Sequence, residues 1–438
     1  MTAEICVMNT MGIAMAADSA VTIGRGRKIY NSANKLFSLS KFHPVGIMIY
    51  GSAEFLRVPW ETIIKVYRQK LGEKNFGTVE QFALNFLEFI KSNEYVELTS
   101  QNEESKFTLH QIDEIVSSSF EIILEGLKEK VNKSDEETSE EELKAVANKF
   151  LDEMLVELDN TEFINCYGDE DFRTVLETYG DEIEHIILQT FENMIFSDDL
   201  VTNLKYIVAS TLLKKFSEST SGVVIAGFGE NELYPALIAY DIDGRINGKV
   251  KLQINKQKIV GKDLTGAIVP FAQDDMVHTF LRGINPEIEK ITSNYLSHIF
   301  SGLSGVIVDN LKSELKDIGN SADIKIKIDE GLEKIRNEYE RVLNEYKYEN
   351  FTIPTLSIVN SLPKDELAEM AESLVNLTSF KRRVSSSLET VGGPVDVAVI
   401  TKGDGLVWIK RKHYFSRELN NNFHQNYFRR DNNEPVAP

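Results

Sequence analysis

Two cysteines in 438 residues, Cys6 and Cys166, are too few and too far apart to staple a fold or build a zinc site, so burial has to hold the chain together. No apolar run is long enough to span a bilayer, and nothing like a signal peptide precedes Thr2, so no membrane partner is expected and the cytoplasm is the expected compartment. Basic charge is scarce: 48 Lys and Arg face 68 Asp and Glu, for a net charge of −20. That balance argues against a nucleic-acid partner, and Arg25-Gly26-Arg27-Lys28 is too short a basic stretch to reverse it. The histidines form no HExxH pair, and the glycines around Gly24-Arg25-Gly26 form no Walker loop, so neither a metal, a cofactor nor ATP hydrolysis is expected. The acidic run Ser134 to Glu142 lacks the ligand spacing and central glycine of a calcium loop. It reads as a solvated segment running into a helix, with a capping box at Ser139 to Glu142.

What is present is an ordinary apolar content, 42%, on a chain long enough for more than one core. Ile5 to Met8 and Ile13 to Ala17 flank the turn formers Asn9-Thr10-Met11-Gly12 and read as a β-hairpin ended by Asp18. Lys35 heads a short strand to Leu39, and Val45 to Tyr50 is an apolar run of the buried-strand type. Ser52 reads as the N-cap of a helix carrying Phe55, Trp60 and Ile64, kinked at Pro59 and stopped at Gly72. Ser221 to Gly229 and Leu233 to Ile242 read as strands, with a turn at Asp243-Gly244. Ala267 to Ile284 is a strand passing into a helix with Met276, Val277, Phe280 and Leu281 on one face. Pro363 to Leu377 is an amphipathic helix, followed by a strand entry and hairpin over Val391 to Ile400 and Gly405 to Ile409. Residues 76–220 and 286–361 read as helical additions, on the three-and-four spacing of Phe120, Ile123, Leu124 and Leu127 and of Leu332, Ile335, Tyr339 and Leu343. Residues 414–438, ending in Pro-Val-Ala-Pro, read as a mobile tail.

Thr2 carries the most chemical information. With Met1 removed it would hold a hydroxyl and a free α-amine on one residue, a nucleophile with its own base. The succession of Ala17-Asp18-Ser19-Ala20-Val21-Thr22-Ile23-Gly24, then Asn34-Lys35-Leu36-Phe37, then Gly51-Ser52-Ala53-Glu54-Phe55 behind this threonine resembles the N-terminal threonine hydrolases of the proteasome β-subunit type within the Ntn-hydrolase superfamily. The spacing from Thr2 to Asp18 is the family's, and Lys35 falls about one residue late.

That resemblance implies an α+β fold, a four-layer αββα sandwich, with residues 1–75, 221–285 and 362–413 forming one discontinuous core and the two helical segments inserted in it. It implies Thr2 as nucleophile, Asp18 and Lys35 as the charge pair beside it, Gly51 as the oxyanion N–H, and Thr22 on the edge where an extended peptide lies. Val21, Ala33, Ile49 and Ala53 would line the substrate pocket. Partners implied are a peptide or protein substrate, further copies in a homo-oligomer, and a separate ATPase of the kind bacterial relatives use. Physically, an ammonium favours the deprotonated threonine and amine, an aspartate makes its burial tolerable, and a glycine lets an N–H reach the reacting oxygen.

Two positions depart from the family. Leu388 and Val391 stand where it carries an aspartate and a serine that touch the amine, and Pro270-Phe271-Ala272-Gln273 stands where it has a small Gly-Ser-Gly turn. Gln273, Ser387, Glu389 or Thr390 have the hydrogen-bonding capacity to substitute. A catalytically inactive scaffold and an amidase on small acyl-amides therefore stay open beside the peptidase reading.

Overall fold

The computed structural model describes residues 2–23, 28–92, 95, 102–133, 139–192, 198–261, 264–314, 321–385, 391–413, 415–416 and 418–422. Its contacts divide into two compact units, Met1–Leu36 with Val260–Pro438, and Phe37–Ile259. Both combine helices with an antiparallel sheet, the α+β class expected. The acidic residues 134–138, the substituted positions 386–390, most of the basic stretch at 25–28 and most of the tail lie outside the described residues.

In the first unit β1 (Ala3–Asn9) and β2 (Gly12–Ala17) form the expected hairpin at the middle of a five-stranded sheet. β12 (Gly266–Ala272) flanks β1, and β13 (Asp396–Thr401) and β14 (Gly405–Lys410) follow β2. Every residue of β1 and β2 is buried, so side chains alternate between two covered faces rather than a wet and a dry one. One face takes Ala3, Ile5 and Val7, packed with Leu367, Ala371, Leu374 and Val375 of the helix Lys364–Val384. That helix starts after Pro363, with Asp365 and Glu366 in its first turn and Lys381, Arg382 and Arg383 in its last, as the helix dipole favours. β3 (Val21–Ile23) and β4 (Lys28–Tyr30) make a separate two-stranded ribbon.

The helix Asp275–Arg282 buries Val277 and Leu281, but Phe280, expected on the same face, is exposed. Pro286–Glu314 and Ser321–Lys347 are long helices that pack on one another. Along the first, Ile288, Ile291, Tyr295, Ile299 and Val306 are exposed, and along the second Ile335, Tyr339, Val342 and Tyr346. The apolar spacing thus gives helices here without giving a buried face.

In the second unit the sheet order is β11 (Lys249–Ile259), β10 (Ala236–Ile246), β9 (Ser221–Gly227), β6 (Val45–Gly51) and β5 (Leu36–Ser38). The turn expected at Asp243-Gly244 is absent. β10 runs through it to Ile246, and the chain reverses at Asn247 and Gly248, whose positive φ of 52° and 73° suits a two-residue hairpin turn. Gly244 matters for another reason: a Cβ there would sit 2.0 Å from the Phe107 ring, so only glycine lets that ring lie on the strand.

The helix expected from Ser52 also begins later. Leu56 and Arg57 take positive φ, 49° and 62°, and close a small hairpin between β7 (Glu54–Phe55) and β8 (Val58–Pro59). Pro59 then precedes the helix Trp60–Leu71 as its cap instead of kinking it. Gly72 ends it as expected, with its N–H on the Arg68 carbonyl. The helix Val79–Lys91, capped by Thr78, shares one core with Trp60, Ile64, Val223 and Ile225. The helices Glu103–Lys133, Glu140–Asp159, Asp169–Thr190 and Asp198–Lys214 build a second core of their own, and the capping box at Ser139 and Glu142 is present.

Candidate active site

At the start of β1 the backbone of Thr2 extends the sheet, its carbonyl accepting from the Gln273 N–H at 3.0 Å. Strand alternation sets its side chain on the same face as Glu4, opposite the face where Ala3 and Ile5 meet the helix Lys364–Val384. Thr2 is 4% exposed, and its Oγ1 has no hydrogen-bond partner among the described residues.

One residue along, Asp18 anchors the end of β2. Its N–H donates to the Ala3 carbonyl at 3.2 Å. Its Oδ1 accepts from the Ala3 N–H at 3.2 Å and from Lys35 Nζ at 2.5 Å. Its Oδ2 accepts from the N–H groups of Ala20 at 3.2 Å and Gly392 at 2.9 Å. Four donors to this fully buried carboxyl replace the water it has lost. Lys35, itself 4% exposed, bonds only Asp18 among the described residues, and an ammonium has three donors. The other two have no acceptor among the described residues.

The late Gly-Gly segment closes over this pair. Gly392 supplies the N–H to Asp18, and its carbonyl accepts from the Ser19 N–H at 3.0 Å; Ser19 Oγ donates to the Pro394 carbonyl. Gly393 has φ of 78°, and a Cβ there would sit 2.8 Å from Asn31 Cβ, so the close approach needs glycine. Ala33, half-buried, donates its N–H to the Ser19 carbonyl at 3.1 Å. Val21 and Thr22 lie on β3, which pairs with β4 alone among the described residues.

The structure thus brings Thr2, Asp18, Lys35 and, through Ser19, Ala33 into one region of the first unit. Gly51, Ile49 and Ala53 belong to the second. Gly51 ends β6 opposite Ser221 with φ of 77°, and a Cβ on it would come within 2.3 Å of the Thr220 carbonyl oxygen, so glycine is demanded there by packing alone. Ile49 is buried in that unit's core and Ala53 is exposed. Of the positions that depart from the family, Val391 is buried, its carbonyl accepting from Ser379 Oγ at 3.4 Å, and Gln273 Oε1 accepts from Arg382. Ser387, Leu388, Glu389 and Thr390 lie outside the described residues.

One residue was not anticipated. Glu4 is fully buried, and neither carboxyl oxygen has a hydrogen-bond partner among the described residues. Burial pushes its carboxyl well above the ordinary carboxylate range; Lys35 pulls it back in part, and Asp18 adds to the rise. Its signal in the sequence was a single acidic residue inside the run Ala3-Glu4-Ile5-Cys6-Val7. Among the described residues no cluster of His, Cys, Asp or Glu could hold a metal ion, and no helix is long and apolar enough to cross a membrane.

No protein-family model matches this chain, and no curated protein does. Three solved structures overlay on it. One is the helical assembly of the Anbu complex from Pseudomonas aeruginosa, with 9% identity, 99% of this chain and 98% of that one covered, and a TM-score of 0.25. Another is Anbu, an ancestral beta-subunit, from Yersinia bercovieri, with 10% identity, 99% of each chain covered and a TM-score of 0.25. The third is an Anbu (Gly-1) mutant from Hyphomicrobium sp. strain MC1, with 9% identity, full coverage of both and a TM-score of 0.26. At those identities and scores, the argument from chemistry rests on the site alone.

Proposed function

We propose that this chain is a proteasome-like N-terminal threonine hydrolase, a peptidase that matures by losing Met1 and works as part of a homo-oligomer. The observation that carries the reading is a buried Thr2 Oγ1 without a partner among the described residues, in the same region as a buried Asp18–Lys35 ion pair whose ammonium donates there to Asp18 alone. A structural threonine would have found a partner.

In this reading the Thr2 α-amine takes the Oγ1 proton, directly or through a water. Lys35 lowers the cost of both deprotonated forms, and Asp18 fixes Lys35. Oγ1 then attacks the substrate carbonyl, the Gly51 N–H stabilises the oxyanion, and the ammonium returns its proton to the leaving amine. An ester on Thr2 remains, and water cleaves it with the amine again as base. The fold would close as a four-layer sandwich, with the peptide added as a strand along β3 past Val21 and Thr22, and Ala33, Ile49 and Ala53 around the side chain before the cleaved bond. The exposed apolar side chains of the helices Pro286–Glu314 and Ser321–Lys347 support association with further copies. A separate ATPase would feed substrate, since nothing in the sequence supplies ATP hydrolysis.

Intact mass should show Met1 removed. Thr2→Ala should lose peptide turnover by on the order of a thousandfold without a change in unfolding, and Thr2→Ser should keep part of it. A peptide boronate or epoxyketone should label Thr2. Wild-type rates in Thr2→Ala, or labelling elsewhere, would overturn the assignment. Val391 and the engaged Gln273 oxygen favour the inactive scaffold instead, and a wild-type chain inert to peptides and probes alike would establish it. Turnover of small acyl-amides but not peptides would make the chain an amidase. Light scattering at micromolar concentration giving only a monomer would remove the oligomer.

A further inference from the structure

Glu4 takes no part in that chemistry, yet its placement is hard to reconcile with a structural role. It lies two residues from Thr2 on the same strand face, fully buried, with both carboxyl oxygens unpaired. Its ladder neighbours are Phe271 on β12 and Ala17 on β2, neither of which can hydrogen-bond a carboxyl through its side chain. The next strand presents Asp396 opposite Ala17, already held by Lys412 Nζ at 2.5 Å and by the Lys412 N–H at 2.8 Å. The charged groups that act on Glu4 are Lys35 and Asp18.

Two carboxyls and one ammonium therefore share a site shut off from water. Asp18 holds the ammonium and accepts from three N–H groups besides, whereas Glu4 has no donor among the described residues, so burial favours its neutral form. An ionised Glu4 would be the stronger attractor for the two open Lys35 donors, because it has no other means of satisfying its charge.

We propose that Glu4 is a positioning residue of the Thr2 centre, a carboxylic acid whose neutral form leaves the Lys35 ammonium to Asp18 and Thr2 and whose ionised form draws it away. Deprotonating Glu4 moves one proton to solvent, breaks no covalent bond, and sets the alkaline limit of the centre. Asp18, Lys35, the Thr2 amine, the buried Cys6 thiol two residues along the same strand face and the Asp396–Lys412 pair are the titratable groups around it among the described residues. The link to turnover rests on Thr2 being the nucleophile; the coupling of Glu4 to Lys35 does not.

The test compares wild type with Glu4→Gln, which keeps the shape and cannot ionise. In the full-length protein labelled with ¹³C at lysine Cε, the Lys35 signal, identified by its loss in Lys35→Met, should shift in wild type as pH is raised above the ordinary carboxylate range and stay put in Glu4→Gln, because burial raises the Glu4 carboxyl. Turnover of Glu4→Gln should persist at the alkaline pH where wild type has fallen about tenfold from its own maximum, since the variant lacks the ionising group. A Lys35 signal that moves identically in the two proteins overturns the proposal, as does an unchanged alkaline limb. A shifting Lys35 signal in a wild-type chain without turnover leaves the Glu4–Lys35 coupling standing and removes the Thr2 hydrolase reading. Should Glu4→Gln misfold, Glu4→Met serves as the second non-ionising variant for the Lys35 measurement.

Discussion

Each unit of the molecule buries an aspartate–lysine pair beside its sheet, and the two pairs are finished differently. Asp243 and Lys251, 0% and 3% exposed at the side chain, meet at 3.1 Å. Asp243 also accepts from Ser217 N–H at 3.0 Å and Ser217 Oγ at 2.6 Å, while Lys251 donates to the Lys215 carbonyl and lies over the Phe216 ring. That pair ties the segment after the helix Asp198–Lys214 to β10 and β11, and its polar groups are engaged. Asp18 is equally saturated, but among the described residues its Lys35 donates to Asp18 alone, and Thr2 Oγ1 and both Glu4 carboxyl oxygens have no partner. A buried ion pair is weak evidence of function; one left incomplete in the same region as a bare hydroxyl is stronger, because each unmade hydrogen bond in a dry interior costs free energy that folding alone does not explain.

The sharpest way to break that contrast is to remove the lysines. Lys35→Met should lower peptide turnover by on the order of a hundredfold or more, whereas Lys251→Met should leave it within about twofold, as steady-state kinetics on folded protein would show. Equal losses would mean that both pairs act only through folding.

Removing the aspartates should cost stability in both units. Asp18→Ala leaves a buried ammonium uncompensated, at about 3–5 kcal/mol in urea unfolding. Asp243→Ala should fall at the low end of the same about 3–5 kcal/mol range, because Lys251 has a route of escape. Burial already holds the Lys251 ammonium below the ordinary lysine range, with Asp243 only partly restoring it, so the amine can shed its proton. A double-mutant cycle of Asp18→Ala with Lys35→Met that shows no coupling would reject the first pair.

The same shift gives the two units opposite responses to pH. A lysine depressed in the folded state leaves the unfolded chain binding more protons, so the Lys251 contribution should rise as pH passes its folded value towards about 10.4, the ordinary lysine value. A glutamate raised in the folded state does the reverse: the Glu4 contribution is present below about pH 4.3, its unfolded value, and is lost as pH rises through the folded one. Urea midpoints measured from pH 4 to pH 10 should lose the alkaline rise in the Asp243→Leu/Lys251→Met double variant and the acid-side advantage in Glu4→Gln. The smallest effect expected is at a cap remote from either pair: Thr78→Ala removes the acceptor for the Gln81 N–H and should cost about 1 kcal/mol with no change in turnover.

Much of this was legible in the sequence. The β1–β2 hairpin, the long apolar strand at Val45, the helix after Pro363 and the capping box at Ser139 follow from local rules, since turn formers, period and caps act within a few residues. Trp60 shows the limit. Ser52 is a good cap in isolation, but positive φ at Leu56 and Arg57 lets two short strands pair first, and that preference is invisible in a residue list. β11 alternates Lys and apolar residues from Lys249 onward, a strand signal hidden by taking Asp243-Gly244 as a turn. Asp243 is instead buried against a lysine eight residues later in the chain.

The sequence by itself determined where three residues fall in local structure: Thr2 behind Met1, Asp18 at the end of a hairpin, Lys35 at the head of a strand, each set by local turn and strand patterns. Only the tertiary structure decided what those residues and their neighbours are. Contacts across hundreds of residues, such as Gly392 on Asp18, complete one carboxyl, while among the described residues Glu4 is left without a donor. Hydrogen-bond satisfaction and desolvation are properties of the packed surroundings, and burial without a partner raises the Glu4 carboxyl above its ordinary range.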